Sequence, residues 1–112
     1  MGCRPNTDEL GLSATGVQTD VRGFVTVDDQ PKTNVDHVWT LGDCNGKGAF
    51  THTSYNGFEI VAANLLDDDD PRRVSDRVTT YALYIDPLLG RAGMTVDEVR
   101  RSGRKVSSAS GR

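Results

Sequence analysis

The fold of this chain is decided by residues 33–66, which read TNVDHVWTLGDCNGKGAFTHTSYNGFEIVAANLL. The segment begins with an apolar run that is bounded by Asn34 and Gly42 and consists of Val35, Val38, Trp39 and Leu41. A short apolar run between turn residues is typical of a buried parallel strand. Asp43 then falls at the carboxyl end of that strand, which is the edge where open α/β sheets bind their ligands.

The second part of the segment predicts an amphipathic helix that opens at residues 49–52 and ends near Leu66. One face of this helix is apolar at i, i+3, i+4, i+7 and i+8, with the residues Phe58, Val61, Ala62, Leu65 and Leu66. Its amino end points toward the crevice beside Asp43, where the helix dipole favours negative charge.

Gly42 and Asp43 have two interpretations. A carboxylate accepts hydrogen bonds and repels phosphate, so beside a nucleotide it is suited to a sugar or ribityl hydroxyl. Gly42 lets the backbone approach a ligand closely. The alternative is an ordinary turn with a capping side chain, and the Gly-Asp pair alone does not separate the two.

The connector between the strand and the helix, residues 45–48, contains two glycines and Lys47. It lacks the spacing of a phosphate-binding loop and the Ser or Thr that follows the lysine. We therefore interpret it as a flexible connector. Before the organising segment we expect mostly loop over residues 1–20, and then a strand in which Phe24 and Thr26 face one way and Val25 and Val27 the other.

An acidic run, Asp67–Asp70, ends the helix together with Pro71 and marks a domain boundary. Four aspartates invite a calcium hypothesis, but the run lacks the spacing, glycine and distal glutamate of an EF-hand, which favours a solvated linker. The expected partners of this charge are Arg72, Arg73 and Arg77.

The segment after the linker predicts a strand over residues 78–85, closed by Asp86 and Pro87. A capping box from Thr95 to Glu98 begins a short helix that ends near Gly103. A further strand begins at Lys105. This half has too few apolar residues for a core of its own, so we expect it to pack against a sheet outside the 112 residues or against a second subunit.

Composition excludes several classes of protein. With 36% hydrophobic residues and a net charge of −3, the chain gives no reason to expect nucleic acid, and it has no membrane-spanning run or signal-peptide core. We expect no membrane partner and a cytoplasmic location. The separation of Cys3 and Cys44 gives no metal or dithiol motif, and we expect Cys44 to be a small buried residue. His37 is interpreted as a surface residue.

The whole chain resembles the pyridine nucleotide-disulfide oxidoreductases. Residues 33–43 with 49–52 are similar to the second FAD-binding motif of that family, and residues 2–17 to the return from its NAD domain. Residues 22–28 resemble the strand before the Gly-Asp motif, and residues 81–95 the entry to the dimerisation domain. The resemblance implies an α/β fold with a partial FAD-binding Rossmann-like domain over residues 1–70 and an incomplete α+β dimerisation domain over residues 77–112.

The resemblance also implies a cofactor site. Asp43, preceded by Gly42, would bond a ribityl hydroxyl of FAD. The pyrimidine edge of the flavin would be lined, mostly through backbone N–H groups, by Ala49, Phe50, Thr51 and His52. The partners implied are FAD, NAD(P)H and, for the full-length parent, a second subunit in a homodimer.

The family's catalytic groups are missing from the 112 residues. Neither Gly-x-Gly-x-x-Gly loop, nor the redox cysteine pair, nor the His–Glu pair occurs. We therefore expect no catalytic or metal-binding residue here and interpret the chain as an internal fragment of a larger FAD-dependent NAD(P)H oxidoreductase, inactive in isolation. The alternatives are a non-catalytic stand-alone protein or interaction module from a truncated reading frame, and a ferredoxin or NADH reductase with the same Gly-Asp motif.

Overall fold

The computed structural model describes residues 2–67 and 71–111. The chain divides into two compact units, Met1–Arg77 and Val78–Arg112. In the described residues, no helix is long and apolar enough to cross a bilayer. The boundary between the units lies close to the predicted end of the linker. The assignment of FAD-binding and dimerisation domains to the two halves stays a prediction.

The first unit is built on one long helix, α2, at Thr51–Leu66, after a single short turn of helix, α1, at Leu12–Thr15. Phe50 precedes α2 in an extended conformation, and Asp67 follows it in an extended conformation. The predicted helix end at Leu66 is therefore confirmed. The remainder of the acidic run, Asp68–Asp70, lies outside the described residues, so its interpretation as a solvated linker stays a prediction.

The buried stripe of α2 differs from the predicted one. Its buried residues are Thr53, Gly57, Ile60 and Val61. Of the predicted face only Val61 is buried, whereas Phe58 is 51% exposed and Leu66 is 86% exposed. The apolar spacing was a poor guide because the small residue Gly57, and not the largest side chains, sets which face of the helix approaches the rest of the unit.

Gly57 allows α2 to pack directly on the backbone of the preceding segment. A Cβ atom added to Gly57 would lie 3.6 Å from the Cβ of Leu41 and 4.0 Å from the amide nitrogen of Gly42. The helix thus rests on the turn that carries Asp43. Other buried residues of this small core include Val17, Val25, Pro31, Ile60 and Val61.

The predicted parallel strand at residues 35–41 does not form. Lys32 and Trp39 make one isolated antiparallel bridge, and His37 adopts a left-handed conformation with φ of 62°. A parallel strand needs a parallel neighbour, and in the described residues the backbone partner of this run is the antiparallel segment around Lys32. The prediction of a surface position for His37 is confirmed, because it is exposed.

The predicted strand at residues 24–27 is also reduced to one isolated bridge, between Thr19 and Val25. Val25 is nevertheless the best buried of these side chains, at 2% exposure, and its N–H donates to the carbonyl of Cys44 at 2.8 Å. The predicted alternation did not say which side faces inward, and the structure buries Val25.

The second unit is an antiparallel hairpin followed by a helix. Strand β1 at Thr80–Leu83 pairs with β2 at Leu89–Ala92, and α3 follows at Val96–Arg101. The sequence predicted β1 within a longer strand and did not predict β2. No strand begins at Lys105.

The capping box predicted for α3 is confirmed. The N–H of Glu98 donates to Thr95 Oγ1 at 3.2 Å, and the N–H of Thr95 donates to Glu98 Oε2 at 2.6 Å. The same carboxylate accepts a hydrogen bond from Thr95 Oγ1 and pairs with Arg91 at 2.8 Å. These contacts, first the backbone bond from Thr95, lower the pKa of Glu98.

We predict that Gly48→Ala destabilises the first unit. A Cβ atom at Gly48 would lie 2.8 Å from both Cβ and Oγ1 of Thr53, which is too close for either to remain in place. We expect the loss to be about 1–3 kcal/mol of unfolding free energy, measured by urea denaturation. Gly2→Ala is the control, since its Cβ would meet nothing within 4 Å. Equal stabilities for the two variants would contradict this packing.

We predict that Thr95→Ala raises the pKa of Glu98 relative to the unsubstituted chain, as measured by NMR titration. Folding lowers the pKa of Glu98 below 4.5. The ionised carboxylate therefore stabilises α3 at pH values above the pKa of the unfolded chain. This stabilisation is lost as the pH falls through the pKa of the folded chain. Thr95→Ser keeps the hydroxyl and is expected to titrate like the original chain. The backbone N–H of residue 95 remains in Thr95→Ala, so an unchanged Glu98 pKa would rule out the Thr95 hydroxyl as a cause of the lowered pKa.

Candidate functional site

An open cleft of about 450 Å³ lies in the first unit, beside the turn that follows Gly42. Three segments form it: the amino-terminal residues, the turn around Phe24, and the chain from Asp43 to the start of α2. The lining residues are Cys3, Asp20, Arg22, Phe24, Asp43, Asn45, Gly46, Lys47, Gly48 and Ala49.

Asp43 stands at the start of a 3-10 turn that covers Asp43–Asn45. Gly42 precedes it with φ of 85° and ψ of −165°, a combination that is accessible to glycine and strained for other residues. Ser54, in the first turns of α2, donates a long hydrogen bond of 3.4 Å from Oγ to Asp43 Oδ1. The exposed carboxylate is thus tied to the amino end of the helix and can still accept a further hydrogen bond.

Hydrogen bonds among neighbouring residues partly cap the amino end of α2. The Phe50 carbonyl accepts the N–H groups of Thr53 and Ser54, at 2.9 and 3.0 Å. The Phe50 N–H donates to Thr53 Oγ1 at 3.0 Å, so that donor is engaged within the chain. The rings of Phe50 and His52 stack with centroids 5.6 Å apart.

The structure brings only part of the predicted site to the cleft. Asp43 and Ala49 both line it, and Gly42 lies immediately behind Asp43. In the part of the chain that the structure describes, the cleft lining ends at Ala49. The other three predicted residues, Phe50, Thr51 and His52, follow it directly in the first turn of α2.

The connector, defined as residues 45–48, is held by hydrogen bonds that the prediction of a flexible segment does not account for. Asn45 Nδ2 donates to the Thr40 carbonyl at 2.8 Å, and the Lys47 N–H donates to Asn45 Oδ1 at 3.0 Å. Gly46 has φ of 69° and lies under the ring of Phe24, whose Cγ would be 3.3 Å from an added Cβ. The two glycines thus permit close contacts on both sides of Lys47.

Two cationic side chains at the cleft were missed by the sequence reasoning. Arg22 lies over the ring of Phe24, with its guanidinium carbon 5.1 Å from the ring centroid, and Lys47 belongs to the connector. Their charges balance those of Asp20 and Asp43 in the same lining. Arg22 directly precedes the Gly-Phe pair of the predicted strand, but only folding brings it into the same cleft lining as Asp43.

The sequence predicted a buried Cys44, whereas the structure buries it only in part. Its side chain is half-buried, and its Sγ atom donates to the Leu41 carbonyl at 3.4 Å. Burial first, and then the charge of Asp43, raise the pKa of the Cys44 thiol. A raised pKa keeps the thiol protonated near neutrality and makes it a poor nucleophile. Within the described ranges, no group of three or more His, Cys, Asp or Glu side chains that could hold a metal occurs.

Comparison with known proteins identifies the family. Residues 1–60 match the family described as pyridine nucleotide-disulphide oxidoreductase. Since this match covers more than half of the 112 residues, the chain belongs to that family.

Individual relatives agree with the family match. The probable pyridine nucleotide-disulfide oxidoreductase RclA of Escherichia coli is 33% identical over 94% of this chain and 24% of its own length. Dihydrolipoyl dehydrogenase 3 of Haloarcula marismortui is 30% identical over 92% of this chain and 21% of its own. The chain therefore spans about a quarter or less of the length of these relatives.

The fold is similar to a solved structure as well. The HOCl-induced flavoprotein disulfide reductase RclA from Escherichia coli superimposes with a TM-score of 0.81 over 93% of this chain and 24% of that one. The chain is thus similar in fold to about a quarter of that solved structure.

We predict that Cys44 is alkylated by iodoacetamide at pH 8 more slowly than a free cysteine, measured by mass spectrometry in a Cys3→Ser background. Asp43→Asn is expected to raise the rate only in part, because burial is the larger cause of the raised pKa. Asp36→Asn is a matched control at an exposed position. Labelling of Cys44 at the rate of a free thiol would contradict the raised pKa of this thiol.

Proposed function

We propose that this chain contributes the ribityl and flavin-edge contacts of an FAD site in an NAD(P)H-dependent oxidoreductase of the disulfide-reductase type. The single observation that carries the proposal is the junction of Asp43 with the amino end of α2 through Ser54, at one edge of an open cleft. Membership of the family supports the identity of the ligand.

The residues present are suited to such a ligand. Asp43 is an exposed acceptor for a hydroxyl group, while Arg22 and Lys47 in the same lining favour an anionic group. The first N–H groups of an α-helix have no intrahelical acceptor and carry partial positive charge. The amino end of α2, with Thr51 and His52 in its first turn after Ala49, would stabilise negative charge at the pyrimidine edge through the helix dipole. The N–H of Phe50 is engaged by Thr53.

When bound, FAD would supply hydride transfer, and the residues of this chain would bind and orient it. Asp43 would hold a ribityl hydroxyl, and Gly42 would let the backbone pass close to the ligand. Stabilisation of negative charge at the edge by the amino end of α2 would make hydride acceptance easier. The redox cysteine pair and both nucleotide loops would come from other parts of a longer polypeptide.

We further propose that residues 1–70 belong to the FAD-binding domain and residues 77–112 to the dimerisation domain of a cytoplasmic homodimer. Exposed apolar side chains on the second unit support this assignment, among them Tyr84, Ile85, Leu88 and Val96. Large apolar side chains in such number favour a covered surface in the working protein.

The first test uses the 112-residue chain alone. We expect the purified chain to show no stoichiometric flavin absorbance and no oxidation of NAD(P)H, because it lacks the pyrophosphate loop and the redox cysteines. The measurement is an absorbance spectrum after incubation with FAD and dialysis. A retained stoichiometric flavin would refute the proposed dependence on other segments.

The second test uses the longer reductase polypeptide that contains these residues. We predict that Asp43→Ala weakens FAD binding by about 10- to 100-fold, the cost of losing a hydrogen bond to a charged group. Asp36→Ala removes an exposed carboxylate outside the cleft lining and serves as the control. Equal FAD dissociation constants for the two variants, measured by flavin fluorescence, would contradict the role of Asp43.

A further inference from the structure

Arg77, the last residue of the first unit, contacts two separate segments of that unit. Its Nη2 atom donates to the Lys47 carbonyl at 2.7 Å, and its Nη1 atom donates to the Thr53 carbonyl at 3.3 Å and to Asn56 Oδ1 at 3.5 Å. A guanidinium presents five N–H donors in a fixed plane, which suits it to bridging several oxygens. One half-buried side chain therefore joins the connector to the first two turns of α2.

The connector separates two spaces. Asn45, Lys47 and Gly48 line the cleft on one side and a void of about 10 Å³ on the other. The void has room for about one water molecule. Arg77 lines the void together with Thr53, and in the described part of the chain it does not line the cleft. It therefore supports the cleft wall from behind.

The position of Arg77 is itself fixed by a short 3-10 turn, Val74–Asp76. The N–H of Val74 donates to the Asp29 carbonyl at 2.8 Å, and the Ser75 N–H donates to the Asp29 carboxylate at 2.9 Å. The Arg77 N–H closes the turn on the Val74 carbonyl at 3.1 Å. The sequence prediction had assigned Arg77 to the acidic run, but its contacts in the described residues are with the connector and α2.

We propose that Arg77 is a positioning residue for the flavin cleft, which holds the connector against α2 and so fixes the spacing of Asp43 and Ala49. It acts through the Lys47 carbonyl and lies outside the lining of the cleft in the described part of the chain. This inference rests on the proposed function of the cleft. The hydrogen bonds that it invokes are present in the chain whatever the ligand is.

The first experiment measures amide hydrogen exchange in the 112-residue chain. We expect Arg77→Gln to speed exchange at the connector amides, Gly46 and Lys47, by about tenfold, since charged hydrogen bonds are lost. Arg77→Lys keeps the charge and three donors and is expected to restore part of the protection. Arg72→Gln is the matched control, because the bonds of Arg72 to Asn64 use only its backbone groups. Equal exchange rates at Gly46 and Lys47 in Arg77→Gln and Arg72→Gln would contradict the proposal that Arg77 holds the connector.

The second experiment measures FAD affinity and the flavin midpoint potential in the longer polypeptide that contains these residues. We expect Arg77→Gln to weaken FAD binding by about tenfold and to shift the potential, with partial rescue by Arg77→Lys. A residue that served stability alone would lower the melting temperature without moving the potential, and that result would overturn the inference. If the unsubstituted polypeptide takes up no FAD, the proposed function itself fails, and the flavin role of Arg77 fails with it.

Discussion

The close approach of α2 to the segment before it is the contact on which the first unit depends. Gly57 places the helix directly on Leu41 and Gly42, and Gly48 admits the side chain of Thr53. An added Cβ atom at Gly48 would clash with Thr53, whereas at Gly57 it would reach the contact distance of Leu41 and Gly42. The core of the described residues contains few other buried apolar side chains.

The same contact explains how a small unit can present a shaped cleft. The connector is bonded to Thr40 at one end, faces Thr53 of α2 at the other, and is tied from behind to Arg77. It therefore forms a wall with defined geometry. Asp43 and Ala49 lie at the two ends of that wall. The binding of a ligand that contacts both residues therefore depends on the position of the connector.

Local sequence signals predicted local structure well. Pro71 with the acidic run indicated the helix end at Leu66, and the Thr95–Glu98 pattern indicated the cap of α3, since both depend on neighbouring residues. The parallel strand at residues 35–41 failed because a strand forms only with partners on its edges, and the sequence of the strand does not contain them. The Gly-Asp motif predicted a site at Asp43, and Asp43 lines the cleft; its role toward a ligand stays a prediction.

The remaining features depend on long-range packing. The buried stripe of α2 followed Gly57 and not the largest apolar side chains, because close backbone approach decides the packing. Arg77 is 30 residues away from Lys47, and no periodicity or motif connects them. Arg22 reaches the cleft only when the turn around Phe24 folds onto Gly46.

The most direct test of the central claim is native mass spectrometry of the endogenous protein, enriched from its source cells with an antibody against Ala49–Leu66. The proposed function predicts a polypeptide several times heavier than the 12.1 kDa of this chain, with the additional mass of one FAD for each subunit. A species of 12.1 kDa without flavin, or a heavier polypeptide that carries none, would contradict the proposal.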